Sequence, residues 1–446
     1  MSHAPAMGTR FRGAFNHVDP SGSPGATGTD MKIPGGFQSV LQCLRIRDYR
    51  LYVTGNVTHG LAIWVLRTSI GWLAWELTKS TAWLGAMAMA ETAPSLILAP
   101  FAGTVVDRIN YFRMMQISQA VAMLLALVLA VLTLSGLITI WILFVLILFR
   151  GCLMAFNRPS RMALIHYLVG RDLLAPALAI GSIIHNGTRF IGPALGGLII
   201  VVAGNGWGFA SASVLLLVYT VILVVMRVTV EPQKRERRSM MAETVEGLAY
   251  VVAHPGIRLQ LALLLVMGLA AKPVTDLLPG FAGQVFSMGA DGLALLLSAN
   301  GIGATCGAVW LASRPSGIEG MSRLSILSVL FLAANLMLFV ATDIFWLALL
   351  FSALLGGGFI ILTVTSQTLI QSAVDPAFRG RVISVHGLVV MGVPALGALL
   401  LGGLAEHFGL RIPVFAGGVV CLAMWAATWH RRAALKASLE TAPAAE

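Results

Sequence analysis

The chain has 446 residues, of which 57% are hydrophobic and 11% charged, with a formal net charge of +11. A soluble domain carries about 25% charged residues to wet its surface, and a mean hydropathy of +0.85 is more than one aqueous core can hide, so lipid has to be part of the solvent. The basic excess lies mainly in short loops between apolar runs, where it sets membrane orientation, and this argues against a nucleic-acid partner.

The first forty residues are polar and rich in Gly, Pro and Ser, with no apolar run of the kind a cleavable signal needs. Residues 1–44 are expected to form a disordered cytoplasmic tail, and Met31 offers an alternative start. A membrane-crossing helix needs about 20 apolar residues. Such runs fall near 51–76, 82–106, 113–136, 139–165, 173–203 and 208–229, then near 258–283, 290–313, 321–341, 344–370, 382–408 and 411–433. The expected fold is all-α and integral to the membrane, with 12 transmembrane helices in two pseudo-symmetric six-helix bundles, 45–230 and 258–434.

Between the bundles, residues 231–257 open with the basic cluster EPQKRERR and continue as MMAETVEGLAYVVAHP. Met240, Thr244, Leu248 and Val251 or Val252 recur at helical spacing, as in an amphipathic helix lying in the membrane interface. A tether between bundles is the simpler role, regulation the other. Residues 435–446 read as a second cytoplasmic tail. Arg45, Arg47, Arg50, Lys234, Arg379, Arg431 and further basic residues gather on one side, whereas the opposite loops hold little beyond Lys79 and Arg411. The positive-inside rule then puts both termini and the linker in the cytoplasm, as in a bacterial inner-membrane protein with an even number of spans. Cys43, Cys152, Cys306 and Cys421 lack metal or disulfide spacing and read as packing residues; no metal or other cofactor is expected.

A weak repeat joins the halves. RDLLAPAL (171–178) precedes a span containing IGPALGG (191–197), and DPAFRGRV (375–382) precedes one containing GVPALGALLLGG (392–403). Two similar halves suit a carrier that opens alternately to each side. The sharpest local signal is GTVVDRINYFR, Gly103 to Arg113, after the second span. Gly103 allows two helices to approach closely, and Asp107 near a helix end can hold a cation or a neighbouring helix N-terminus. With Arg108 and Arg113 this reads as a gate latch; otherwise Asp107 and Arg108 simply end a span.

Charges within spans are costly and mark function by default. Arg150 lies roughly 17 Å into the fourth span at 1.5 Å per residue. Glu91 is the one carboxylate placed near mid-depth, which makes it the candidate proton carrier, although a structural Glu91–Arg67 pair accounts for it equally well. Arg67, Asn157, Arg158, Asn186, Arg189, Lys272 and Asp276 are expected around a central cavity. Asp276 is placed near the outer end of its span, and Lys272 and Asp276, at i and i+4, satisfy each other in the simplest case. Gly192, Pro193, Gly196 and Gly197 allow close helix contact and a bend. Asn56, His59, Asn300 and Asn335 read as helix-to-helix hydrogen-bond formers.

The Gly103 loop resembles the signature Gly-x-x-x-Asp-Arg-x-Gly-Arg of the major facilitator superfamily, with Asn110 and Tyr111 as departures. Arg150 is similar to its fourth-helix arginine, and the Gly192–Gly197 run to its antiporter motif, with Ala179 and Thr188 where glycines are expected. RIRDYRLYVTGN (45–56), AFNRPSRMALI (155–165), KPVTDLLPGFA (272–282) and DPAFRGRVISV (375–385) narrow the resemblance to the enterobactin-exporter-like branch, the transmembrane secretion effectors. The resemblance implies the major facilitator fold and proton-coupled export of a siderophore, drug or other amphiphile by alternating access, with the proton gradient and the bilayer as its requirements; a monomer is expected. A facilitator or importer of a metabolite or lysolipid would share the fold. A membrane acyl or prenyl transferase would need HxxxxD or DDxxD motifs, and the chain has neither.

Overall fold

The computed structural model describes residues 37–108, 111–170, 172–226, 228, 240–315 and 317–440; some side chains within these ranges, among them 99–108, 111, 158–160, 162–163 and 240–244, lie outside the description. Twelve long helical segments cross from one end of the molecule to the other. In the first half they are α2 (Arg47–Thr78), α3 (Thr81–Arg108), α4 (Tyr111–Leu134), α5 (Ile140–Val169), α6 (Leu174–Ala203) and α7 (Asn205–Val225), preceded by the short α1 (Phe37–Arg45). After the linker helix α8 (Met240–Ala253) come α9 (Pro255–Ala270), continued as α10 (Val274–Gly280), α11 (Ala290–Ala312), α12 (Met321–Ala341), α13 (Phe345–Ala373), α14 (Arg379–Phe408) and α15 (Arg411–Trp429), with α16 (Arg432–Leu439) closing the described chain. Ten of the twelve are long and apolar enough to span a bilayer by composition alone, counted among the described residues. The other two are α2, which carries several charges, and α3. Both still have the length, 32 and 28 residues.

Local chemistry sets the ends. Thr139 caps α5 by accepting the Ile142 N–H at 3.3 Å, and Gly204 and Gly409 take positive φ between successive spans, a geometry that glycine adopts without strain. Pro255 begins α9, where its missing N–H costs nothing. His254 caps that helix, its Nδ1 accepting the Ile257 N–H at 3.3 Å. Burial holds His254 below the usual histidine range, which favours the neutral ring that can accept.

The linker end of the molecule carries α1, α8 and α16. Residues 37–44, expected in the disordered tail, instead form most of α1; Cys43 is fully buried there with Tyr49 and Tyr52, which gives the segment an apolar face to fold against. The amphipathic linker helix is present as α8, docked on the second bundle. Glu246 pairs with Arg381 at 2.8 Å, Tyr250 stacks on Phe378 with centroids 4.9 Å apart, and Val251 is buried. Its Val245, Leu248 and Val252 stay exposed, which leaves the helix an uncovered apolar face. Residues 229–239, with the basic cluster, lie outside the description.

The exposed surface of the spans is itself apolar, as at Leu127, Val131, Val145, Leu198 and Val202, which suits acyl chains as solvent. Without water to drive association, helices in lipid are held by close packing of small residues. Across the two halves, α3 packs along α14 and α6 along α11, so the two repeat-bearing spans, α6 and α14, each lean on the other bundle. Gly402 approaches the Thr81 carbonyl oxygen so closely that an added Cβ would lie 2.5 Å from it, and a Cβ on Gly301 would lie 2.8 Å from the Arg189 carbonyl oxygen.

Candidate functional site

The seventh span is broken. Pro273 interrupts the backbone ladder between α9 and α10, and Pro279 is followed by a widened π-type turn over Phe281–Val285. Discontinuous spans of this kind turn polar side chains and free backbone inward at mid-depth. Here the break carries Lys272 and Asp276. Arg67 Nη2 donates to Asp276 Oδ1 at 2.5 Å, joining the first bundle to the second. Arg67 lies 11 residues from the end of α2, roughly 16 Å of helix, so Asp276 sits well inside and not near the outer end.

The expected Lys272–Asp276 pair is absent among the described ion pairs. Lys272 Nζ donates to Thr275 Oγ1 at 3.2 Å and stands 4.9 Å over the Phe359 ring. The carboxylate is drawn to the guanidinium because the kink turns it toward α2. Glu91 likewise pairs with Arg150 across α3 and α5, not with Arg67. The Arg150 side chain is 4% exposed and that of Glu91 30%, so the cation is the more deeply enclosed partner of the pair.

Arg189 on α6 donates to Asn300 Oδ1 at 3.0 Å, and Asn300 in turn donates to the Ser352 carbonyl at 3.1 Å. Arg67 and Arg189 flank one indole, 5.6 and 5.9 Å from the Trp64 centroid. The remaining candidates divide. Asn157 donates to Ser118 Oγ at 3.2 Å inside the first bundle, away from the cleft between bundles, because its helix face looks toward α4. Asn186 donates to the Ser182 carbonyl of its own helix at 2.9 Å, so its amide group already has a partner. The Arg158 side chain lies outside the description. So do those of Gly103, Asp107 and Arg108, which fall in the last turns of α3; Arg113 is exposed in the first turn of α4.

The antiporter-like run has two faces. Gly192 lies against Trp64, and Gly196 against Val65 and Thr68, within the first bundle. Gly197 faces Ala290 and Ala294 across the bundle interface. Pro193 is buried between them. Next to the Arg150 pair, His59, Gln119, Ser118 and Asn157 border an internal void with about 10 Å³ of free volume, the room one water needs. His59 Nδ1 and Gln119 Oε1 are buried beside it without a protein partner among the described residues.

Sequence reading passed over Glu406, at the far end of α14. Its Oε2 accepts from Ser80 Oγ at 2.8 Å, the Thr81 N–H at 3.0 Å, Thr81 Oγ1 at 3.2 Å and the Ala82 N–H at 3.3 Å. A carboxylate thus caps the N-terminus of α3, where unpaired N–H groups and the helix dipole favour an anion. The signal available was an acid at one span end facing a Ser–Thr pair at another. The cross-bundle contacts named so far run from Arg189–Asn300 and Arg67–Asp276 at mid-depth out to Glu406–Thr81 at the end opposite the linker, and hold that end together. Replacing Glu406 by Gln should weaken the closure by about 1.5 kcal/mol, roughly tenfold in population. Distances between spin labels at Lys79 and His407 would lengthen; an unchanged distribution would show that the cap does not hold the end shut.

Comparison with known proteins adds the family. The transmembrane secretion effector model matches residues 38–445. The chain belongs to that family of major facilitator transporters. This secretion effector is 24% identical over 370 residues to the staphyloferrin A transporter of Staphylococcus aureus, covering 82% of this chain and 91% of that one. It is 27% identical over 259 residues to enterobactin exporter EntS of Escherichia coli, covering 55% of this chain and 61% of that one. Among solved structures, an inward-facing, occupied bacterial homologue of the human lysosomal transporter Spinster has a TM-score of 0.67 at 13% identity, with 90% of this chain and 99% of that one covered. The nucleoside transporter NupG has a TM-score of 0.61 at 15% identity, covering 88% of this chain and 99% of that one. These neighbours share the fold.

Proposed function

We propose that this secretion effector exports a small siderophore-type metabolite across a bacterial inner membrane by alternating access, drawing on inward proton flow. The observation that carries the coupling is the Glu91–Arg150 pair, a carboxylate and a cation within the spans, the cation enclosed and the carboxylate partly accessible. A proton taken by Glu91 releases Arg150, and the change in local charge biases which face is open. The relatives whose names record staphyloferrin A transport and enterobactin export support the substrate class and the direction. The distribution of Lys and Arg supports a cytoplasmic linker end, so the end that the Glu406 cap holds together faces outward. The carrier works as a monomer of two six-helix bundles, and Gly103, Asp107, Arg108 and Arg113 serve as its linker-side latch.

Purified protein in proteoliposomes, loaded with a candidate siderophore and given an imposed pH gradient, tests this reading. Flux against the substrate gradient, reversed in direction when the pH gradient is reversed, is the expected result. Flux that only runs down the substrate gradient, indifferent to pH, would establish the facilitator reading instead.

A further inference from the structure

We infer that Arg189 and Lys272 form a two-sided subsite for a substrate bearing paired anionic oxygens, such as a dicarboxylate. This rests on the transport reading for its purpose and on the geometry for its chemistry. Arg67 and Arg150 have carboxylates, Asp276 and Glu91. Arg189 and Lys272 form no ion pair among the described residues; their polar partners are a neutral amide and a neutral hydroxyl. The two cations come from opposite bundles, one on α6 and one at the break in the seventh span, and a chain of contacts joins them: Arg189 and Arg67 share Trp64, and Arg67 holds Asp276, four residues on from Lys272.

Two cations that repel each other inside a membrane protein are costly unless something neutralises them. Cation–π contact eases that cost only in part, and both groups use it, Arg189 over Trp64 and Lys272 over Phe359. An anion between them replaces repulsion with two charge-assisted bonds. Trp64 and Phe359, which hold these two cations, border the subsite, so an anion that draws Arg189 off the indole changes the surroundings of Trp64. Because each bundle contributes one cation, such a substrate ties the halves together when bound, so its binding energy can drive the change of face.

The test uses the full chain in nanodiscs, with phthalate as the dianionic probe and phthalamide as its neutral counterpart. Saturable quenching of tryptophan fluorescence by phthalate is expected, lost in Trp64→Phe, with at least tenfold weaker binding in Arg189→Gln and in Lys272→Met. Lys272→Met should melt no lower than the unchanged protein, since an apolar side chain of similar length fills the same space; a variant that merely misfolds would melt lower. Lys272→Arg should retain most of the binding. Phthalamide binding as well as phthalate, or phthalate affinity unchanged in both variants, would overturn the subsite. Binding needs no gradient and no flux: a protein that binds phthalate yet moves nothing defeats the transport reading alone, and one that transports without dianion binding defeats the subsite alone.

Discussion

Glu91→Gln should abolish the response of flux to an imposed pH gradient and lower the melting temperature of the purified protein. Arg150, 4% exposed, would keep its charge and lose its carboxylate. Removing one partner of a buried ion pair costs about 3–5 kcal/mol, and the 30% exposure of the Glu91 side chain places the expected loss at about 3 kcal/mol. The double variant Glu91→Gln with Arg150→Met removes both charges, so its melting temperature should recover while the pH response does not. That split separates a coupling role from a purely structural pair. Coupled flux surviving in Glu91→Gln would move the proton carrier elsewhere, and Asp276 would be the next carboxylate to examine.

Gly303→Val should prevent the second bundle from folding. A Cβ at 303 would fall on the Ala353 carbonyl oxygen, and one at Gly356 on that of Asn300, while at Gly307 it would meet the Gly357 oxygen at 2.7 Å. In each case the obstacle is backbone, which has no rotamer to yield. Separating α11 from α13 forfeits the packing that replaces the hydrophobic effect in lipid, and about 4 kcal/mol or more is expected. It would also displace Asn300, which links Ser352 to Arg189. Gly403→Ala, where nothing lies within 4 Å of the added carbon, is the control, expected within about 0.5 kcal/mol. Monodispersity on gel filtration and thermal unfolding would read both; a folded, stable Gly303→Val protein would show that the helix contact is looser than described.

The twelve spans, their order and the central linker were legible in the chain because each is a one-dimensional property. A run of apolar residues long enough to cross a bilayer must do so, since the backbone has no other way to satisfy its polar groups in lipid. The exceptions in detail came from packing. Residues 37–44 have a polar composition that reads as a tail, yet Cys43 buries against Tyr49 and Tyr52. The resemblance carried by Gly103–Arg113 and the phrases downstream led to the family that the whole-chain match then established.

What the sequence could not decide was which charge meets which. Lys272 and Asp276 are neighbours by helical spacing, but Pro273 and the break around it turn Asp276 to Arg67, 209 residues away in the chain. Glu91 was expected beside Arg67, and the crossing of α3 with α5 gave it Arg150 instead. Glu406 and the α3 N-terminus are 325 residues apart, and only the packing of α14 along α3 makes one the cap of the other. Apolar length is a property of a segment, so the sequence alone determined the membrane fold. Partner choice is a property of distances between segments, and those distances exist only once the bundles have packed.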